Sequence, residues 1–321
     1  MDGNRALATL GARPYTRAMA GGRRIGEAVA LVGFLLLVAL YAFSPIFCTD
    51  FHWHLAIGRV IAERGAIPRV DLFSAVEPER PYVQFNWLWD LLAFEVHAMG
   101  GLRAIRAVQA VLMAASFAVL YAALRRTLRG AAVALAVCAL ALVLFEDRFR
   151  VRPDALTLGL VASMLSLIVL RTGPPTPRTL LATAALGVLW SNLHGGTSLL
   201  LVLSTGALAV GATLDARFGG RRESPASAWR LFAASAIGIA LSPTLVPGLL
   251  DWFDAIGPQI ATGNQEWQPS WTMLRNGFTP SFVIIGFGPT LVAALYVSVQ
   301  VRRARALGRS AVDVAEWLLA A

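Results

Sequence analysis

Long apolar runs alternate with short polar segments along nearly the whole chain. A helix needs roughly 20 apolar residues to cross the hydrocarbon core of a membrane. Eight runs reach or approach this length, so the pattern predicts an all-α polytopic membrane protein with about eight transmembrane helices. The predicted spans are 27–47, 102–124, 130–146, 155–171, 179–193, 196–214, 230–250 and 280–300.

The polar segments between the spans divide the chain into three parts. We predict a basic N-terminal segment over 1–26, one transmembrane domain over 27–300, and a C-terminal segment over 301–321. The apolar sequence at 312–321 is a candidate for the start of a ninth helix. Two outer loops, 48–101 and 251–279, are long enough to carry structure of their own.

Composition and charge agree with this membrane class. The chain has 321 residues, of which 57% are hydrophobic and 15% are charged, whereas a soluble domain carries about 25% charged residues. The net charge is +9, and all 28 basic residues are arginine. Most arginines flank spans on the side that would face the cytoplasm if both termini lay there, as the positive-inside rule requires. We therefore expect a multi-pass bacterial inner-membrane protein with a cytoplasmic N-terminus, bound to membrane lipids and not to nucleic acid.

The first outer loop contains two amphipathic helical patterns. "DFHWHLAIGRVIAERG" stops at Gly65, and "FNWLWDLLAFEVHAMGG" ends in Gly100 and Gly101, as glycine commonly ends helices. An extended, proline-containing segment joins them. The loop therefore predicts two helices lying on the membrane surface.

Asp50 and His54 open the first of these helices. They are four residues apart, so they share a helix face. Asp50 would serve as a helix cap, or the pair could remove a proton or hold a divalent cation. His52 would point elsewhere, and with Trp53 it is typical of a membrane interface.

Four further polar residues of this loop have simpler interpretations. Asp71 begins a turn-like "DLFS". Asp90 and Glu95 fit the wet face of the second helix, and Asn86 fits its cap.

An outer turn, "EDRFRVRPD", concentrates three arginines against the charge rule. Arg148, Arg150 and Arg152 either pair with the neighbouring acids Glu146, Asp147 and Asp154, or hold a lipid phosphate. The forked guanidinium donors suit phosphate geometry, and the sequence leaves both alternatives open.

Three polar residues in later outer segments are weaker candidates. In "WSNLHGGTS", His194 lies near a helix C-terminus, where a cation is favourable, and Asn192 precedes it. Glu266 lies in the last outer loop, where a surface acid is ordinary.

The ordered set of motifs resembles bacterial membrane proteins of the glycosyltransferase C (GT-C) superfamily. One poorly characterised branch has the pattern Asp-x-x-Trp-His-Leu-x-x-Gly followed by Ile-Pro-x-x-Asp-x-Phe-Ser. The resemblance covers most of the chain through the matching elements "DFHWHLAIGRVIAERGAIPRVDLFS", "NWLWD", Arg152-Pro153, Asn192-x-His194-Gly195 and Glu266-Trp267.

This resemblance implies transfer of a sugar from a polyprenyl-phosphate-linked donor at the extracytoplasmic face. Asp50 would be the general base or would help to position a metal. The arginine turn would hold the departing phosphate, which needs charge stabilisation. His54, Asp71 and His194 would line the pocket.

The chain also departs from the family pattern. It has fewer spans than typical members, as expected for a truncated relative, a compact module or an inactive enzyme. It lacks the adjacent Asp-Glu pair of the protein-mannosylating branch. A non-catalytic envelope-assembly scaffold is an alternative. A carrier or flippase for a lipid-linked precursor is another, although ion-coupled transport is disfavoured because the span centres are almost free of charge.

Overall fold

The computed structural model describes residues 12–46, 50–75, 81–128, 130–144, 149–169, 171, 173–217 and 224–250. These residues form helices and connecting segments without a β-strand. In chain order the helices are α1 (Ala12–Ala42), α2 (Asp50–Arg64), α3 (Trp87–Leu124), α4 (Ala131–Leu144), α5 (Asp154–Met164, continued by a π-helical turn at Leu165–Val169), α6 (Pro177–Leu193), α7 (Leu199–Arg217) and α8 (Pro225–Ala240).

Three of these helices are long and apolar enough to cross a membrane. They contain Ile25–Ala42, Trp87–Leu124 and Gly196–Arg217, and two shorter apolar helices cover Ala131–Val143 and Asp154–Ile168. One face of α1 exposes large apolar side chains, including Ile25, Val29 and Leu40. Such a surface is expected to face lipid. The membrane class is thus supported, while the predicted span 280–300, the loop 251–279 and the segment 312–321 lie outside the described residues.

The predicted helix ends at glycine are confirmed. Helix α2 stops before Gly65, whose φ of 63° lies in the left-handed region. Helix α3 has 38 residues and is broken at Gly100 and Gly101, the latter with φ 62°. An unbroken helix of that length would span about 57 Å, nearly twice the hydrocarbon thickness. We therefore divide α3 into the segment 87–99, named the outer arm after the predicted outer loop 48–101, and a longer apolar part, 102–124.

Four apolar clusters hold the described helices together, and the smallest, around Ala209 and Ala228, joins only α7 and α8. One joins α1, α3 and α5 around Val38, Phe117 and Leu158. A second joins α5, α6, α7 and α8 around Trp190 and Leu231. The third consists of Phe51, Trp89, Ala93, Ile105, Val151 and Leu193. This cluster joins α2, α3, the segment before α5 and the C-terminal end of α6. It therefore fixes these four elements relative to one another.

Helix α2 crosses the outer arm of α3 at very short range. A Cβ atom on Gly58 would overlap the backbone carbonyl of Asp90 and approach the Cβ of Phe94 at 2.7 Å. Only glycine allows this approach without a shift of the helices. The crossing brings α2 directly over Asp90.

Candidate functional site

The ends of four helices surround a cavity of about 290 Å³. Asp50 is the first residue of α2, Asn86 precedes α3, Asp154 is the first residue of α5, and His194 follows α6. The complete lining within the described part of the chain is Asp50, Trp53, His54, Asn86, Arg152, Pro153, Asp154 and His194. Sequence segments separated by more than a hundred residues therefore meet at one site.

Asp50 and Arg152 form an ion pair across the cavity. The Asp50 side chain is 44% exposed and that of Arg152 is 19% exposed. The tight turn before α5 holds Arg152, since its backbone N–H donates to the Arg150 carbonyl at 2.8 Å and its carbonyl accepts from Ala155. The guanidinium thus lies beside the carboxylate that the resemblance places at the reaction centre.

His54 is held by Asp90 and not by Asp50. Its Nδ1 lies 2.6 Å from Asp90 Oδ1, and the Gln84 side-chain amide donates to the other Asp90 oxygen. The expectation that Asp90 belongs to a wet face is wrong, because α2 covers it through the Gly58 crossing and leaves it 0% exposed. Glu95, further along the same arm, is exposed as expected.

The surroundings of Asp90 act on its ionisation in opposite directions. On balance the pKa of the Asp90 carboxyl is raised above its ordinary value, because burial outweighs the hydrogen bonds from His54 and Gln84 and the positive charge available on His54, which lower it. Asp90 lies on the outer arm of α3, which the glycine break separates from the apolar part 102–124. A buried acid with two such partners is fixed in position.

His194 lines the cavity opposite α2. Its Nδ1 lies 2.8 Å from the Thr157 hydroxyl, and its Nε2 lies 3.4 Å from Asp154 Oδ1. The following Gly195 lets the turn pack against Phe85, because a Cβ there would lie 2.8 Å from the Phe85 ring.

Asn192 and Asp71 do not line the cavity in the structure. Asn192 accepts a hydrogen bond from the Trp87 indole N–H at 2.7 Å and donates to the Val188 carbonyl, so it ties α6 to α3. Asp71 accepts hydrogen bonds from the backbone N–H groups of Phe73 and Ser74 at 2.9 and 3.0 Å. Both contacts are those of structural residues.

The arginine trio is not assembled around the cavity within the described ranges. Arg152 lines it, and Arg150 is exposed and does not. Arg148 and Glu266 lie outside the described residues, so their predicted roles stay predictions.

Asn86 and Trp53 contribute to the cavity in ways that the sequence did not reveal. Asn86 occupies the N-cap position of α3 but makes no side-chain capping bond, and its buried Oδ1 has no hydrogen-bond partner among the described residues. Trp53, expected at a membrane interface, packs edge-on against Tyr82 with ring centroids 5.9 Å apart. No local pattern in the sequence indicates these two arrangements, because both depend on how α2 packs against α3 and the segment before it.

A second cavity, of about 500 Å³, has Gln84 in its lining. Gln84 belongs to its wall, and in the described part of the chain the buried Gln84 Oε1 has no hydrogen-bond partner. Its lining is Ala66, Ile67, Pro68, Arg69, Pro81, Tyr82, Val83, Gln84, Pro243, Thr244 and Pro247. Gln84 therefore belongs both to the buried contact with Asp90 and to this wall.

The expected divalent cation has no ready ligand set in the described part of the chain. No group of three or more His, Cys, Asp or Glu side chains there is arranged to hold a metal ion. Asp50 is engaged by Arg152, and His54 by Asp90.

No protein-family model matches this chain, no curated protein is significantly similar to it in sequence, and no solved structure is significantly similar to it. The likeness to the GT-C superfamily thus stands on the ordered sequence motifs.

Proposed function

We propose that this protein is a bacterial inner-membrane glycosyltransferase of the GT-C type. It would transfer a sugar from a polyprenyl-phosphate-linked donor to an acceptor at the extracytoplasmic face. The proposed topology has about eight spans and a cytoplasmic N-terminus, which places the cavity at the outer membrane boundary. The supporting observation is that Asp50, His54, Arg152 and His194 line one cavity at the ends of helices.

The cavity has features that suit a phosphate. The N-termini of α2, α3 and α5 all border it, and helix N-termini favour anions through their partial positive charge. Arg152 adds a guanidinium, which binds phosphate oxygens through two parallel hydrogen bonds. A lipid phosphate at headgroup level would meet these groups without entering the hydrocarbon core.

The Asp50–Arg152 ion pair gives the site a resting state. A donor phosphate would compete with Asp50 for the guanidinium, because both are anions that accept the same forked donors. Binding of the donor would then release the Asp50 carboxylate into the cavity. Arg152 would stabilise the negative charge that develops on the phosphate as the sugar leaves.

A transfer assay tests this proposal. Purified protein in lipid nanodiscs would be mixed with a panel of synthetic polyprenyl-phosphate sugars and a bacterial envelope extract as acceptor. We expect wild-type protein to release polyprenyl phosphate, and Asp50→Asn to slow release at least tenfold. Glu63→Gln, an exposed acid at the far end of α2, should match the wild type.

Two results would contradict the proposal. Release at background level with every donor would favour a scaffold. Movement of the intact lipid-linked sugar between leaflets, without cleavage, would favour a carrier.

A further inference from the structure

We infer that Asp90, braced by Gln84, positions His54 as the group that accepts the acceptor's proton. This inference rests on the proposed function and assigns a role within it to Asp90 and Gln84, to which the resemblance gave no role. His54 is the catalytic residue of the set because it lines the cavity. Asp90 and Gln84 act through it.

The hydrogen bonds fix the orientation of the imidazole. Asp90 is a carboxylate with both oxygens occupied, one by His54 Nδ1 and the other by the Gln84 amide. A carboxylate oxygen accepts, so Nδ1 carries the proton in the neutral ring. The lone pair then lies on Nε2, and the ring is held against rotation by a bond of 2.6 Å. An acid that holds histidine in one tautomer and orientation is a recurring arrangement in general-base catalysis.

Asp50 is less suited to this role than His54. Its carboxylate is engaged by the Arg152 guanidinium, and it is freed only when the donor phosphate displaces it, whereas His54 needs no such displacement. Among the residues that the structure describes, the ion pair of His54 is with Asp90 and not with an arginine. Besides Asp90 below it, the charged and titratable groups that line the same cavity are Asp50, Arg152, Asp154 and His194.

The chemical step balances with these groups alone. The acceptor hydroxyl oxygen forms a bond to the anomeric carbon of the donor sugar. The bond from that carbon to the phosphate oxygen breaks, and its electron pair leaves with polyprenyl phosphate. The hydroxyl proton passes to His54 Nε2, and the imidazolium formed is stabilised by the adjacent Asp90 carboxylate.

Chemical labelling of histidine tests the inference without requiring transfer activity. Diethyl pyrocarbonate acylates neutral imidazole nitrogen, and mass spectrometry of peptides distinguishes His54 from the exposed His52. In the wild type we expect the reagent to reach His54 through the cavity. Added polyprenyl phosphate should slow the labelling of His54 and leave the labelling rate of His52 unchanged.

The Asp90→Asn variant tests the role of Asp90. With Gln84 donating to its oxygen, the new amide presents its NH₂ group to His54 and forces the proton onto Nε2. We expect the labelling of His54 to fall at least tenfold and that of His52 to stay the same. Glu95→Gln makes the same chemical change at an exposed position of the same arm and should alter neither rate.

The two proposals fail in different ways. A wild-type His54 that does not react, or that reacts equally fast in Asp90→Asn protein with an unchanged melting temperature, would overturn the inference. If labelling behaves as expected but no donor is cleaved, the orientation of His54 stands and the transferase proposal fails.

Where transfer is measurable, kinetics add a second criterion. Asp90→Asn should lower kcat at least tenfold with the KM for the donor within about twofold, and it should have no further effect in a His54→Gln background. Additive losses in the double variant would contradict action through His54.

Discussion

At the scale of single residues, local sequence identified the right segment but not the right partners. The spacing of Asp50 and His54 predicted a shared helix face, and in the structure both residues line one cavity. Their partners, Arg152 and Asp90, lie in other elements, and no periodicity shows that α2 covers Asp90. The amphipathic pattern of α3 indicated that its polar residues face water. It could not show that a second helix occupies that face.

The two asparagines of the site illustrate how contacts decide a residue's role. The Asn192 side chain makes hydrogen bonds with both Trp87 and Val188. Among the described residues, Asn86 Oδ1 has no hydrogen-bond partner. Loss of a partner for a buried donor costs about 1–3 kcal/mol. We therefore expect Asn192→Ala to lower the melting temperature clearly and Asn86→Ala to lower it much less. Thermal unfolding in detergent, followed by tryptophan fluorescence, would compare them, and equal losses would contradict the assigned contacts.

At the scale of elements, the glycine signals were sufficient for the helix ends. Gly65, Gly100 and Gly101 end or break helices where the sequence indicated. Gly58 was different, because it lies inside α2 and its importance comes from α3. A glycine within a helical pattern shows only that something requires a small residue, and the structure identifies the neighbour.

The Gly58 crossing leads to a prediction about the packing of α2 on α3. Gly58→Ala places a methyl group against the Asp90 carbonyl and must push the helices apart. Overpacking of this kind costs about 1–3 kcal/mol. We expect a lower melting temperature and faster proteolysis within 50–75. Gly33→Ala in α1, where a Cβ would meet nothing within 4 Å, is the matched control and should leave both unchanged; equal behaviour of the two variants would contradict the close crossing.

At the scale of the whole molecule, apolar length and arginine placement predicted a helical membrane protein. Three helices of sufficient length and the exposed apolar side of α1 agree with that class. The assembly of a cavity from α2, α3, α5 and α6 could not be predicted, because it depends on tertiary packing through the cluster of Phe51, Trp89 and Leu193.

Orientation in the membrane is testable with reporter fusions. If the arginine-rich segments face the cytoplasm, alkaline phosphatase fused after residue 75 or 195 should be active outside. Fusions after residue 128 or 174 should be inactive, and fluorescent-protein fusions should show the reverse. The opposite pattern would place the cavity on the cytoplasmic face and contradict the proposed site of transfer.

The most direct test of the central claim is native mass spectrometry of the purified protein with polyprenyl phosphate. We predict one bound lipid per chain, and an affinity at least tenfold weaker for Arg152→Gln, since a charge-assisted hydrogen bond is worth about 1.5–3 kcal/mol. Arg150 is exposed and does not line the cavity. The matched variant Arg150→Gln should therefore bind the lipid as the wild type does. No bound polyprenyl phosphate, or equal binding by all three proteins, would contradict a lipid-phosphate site at this cavity.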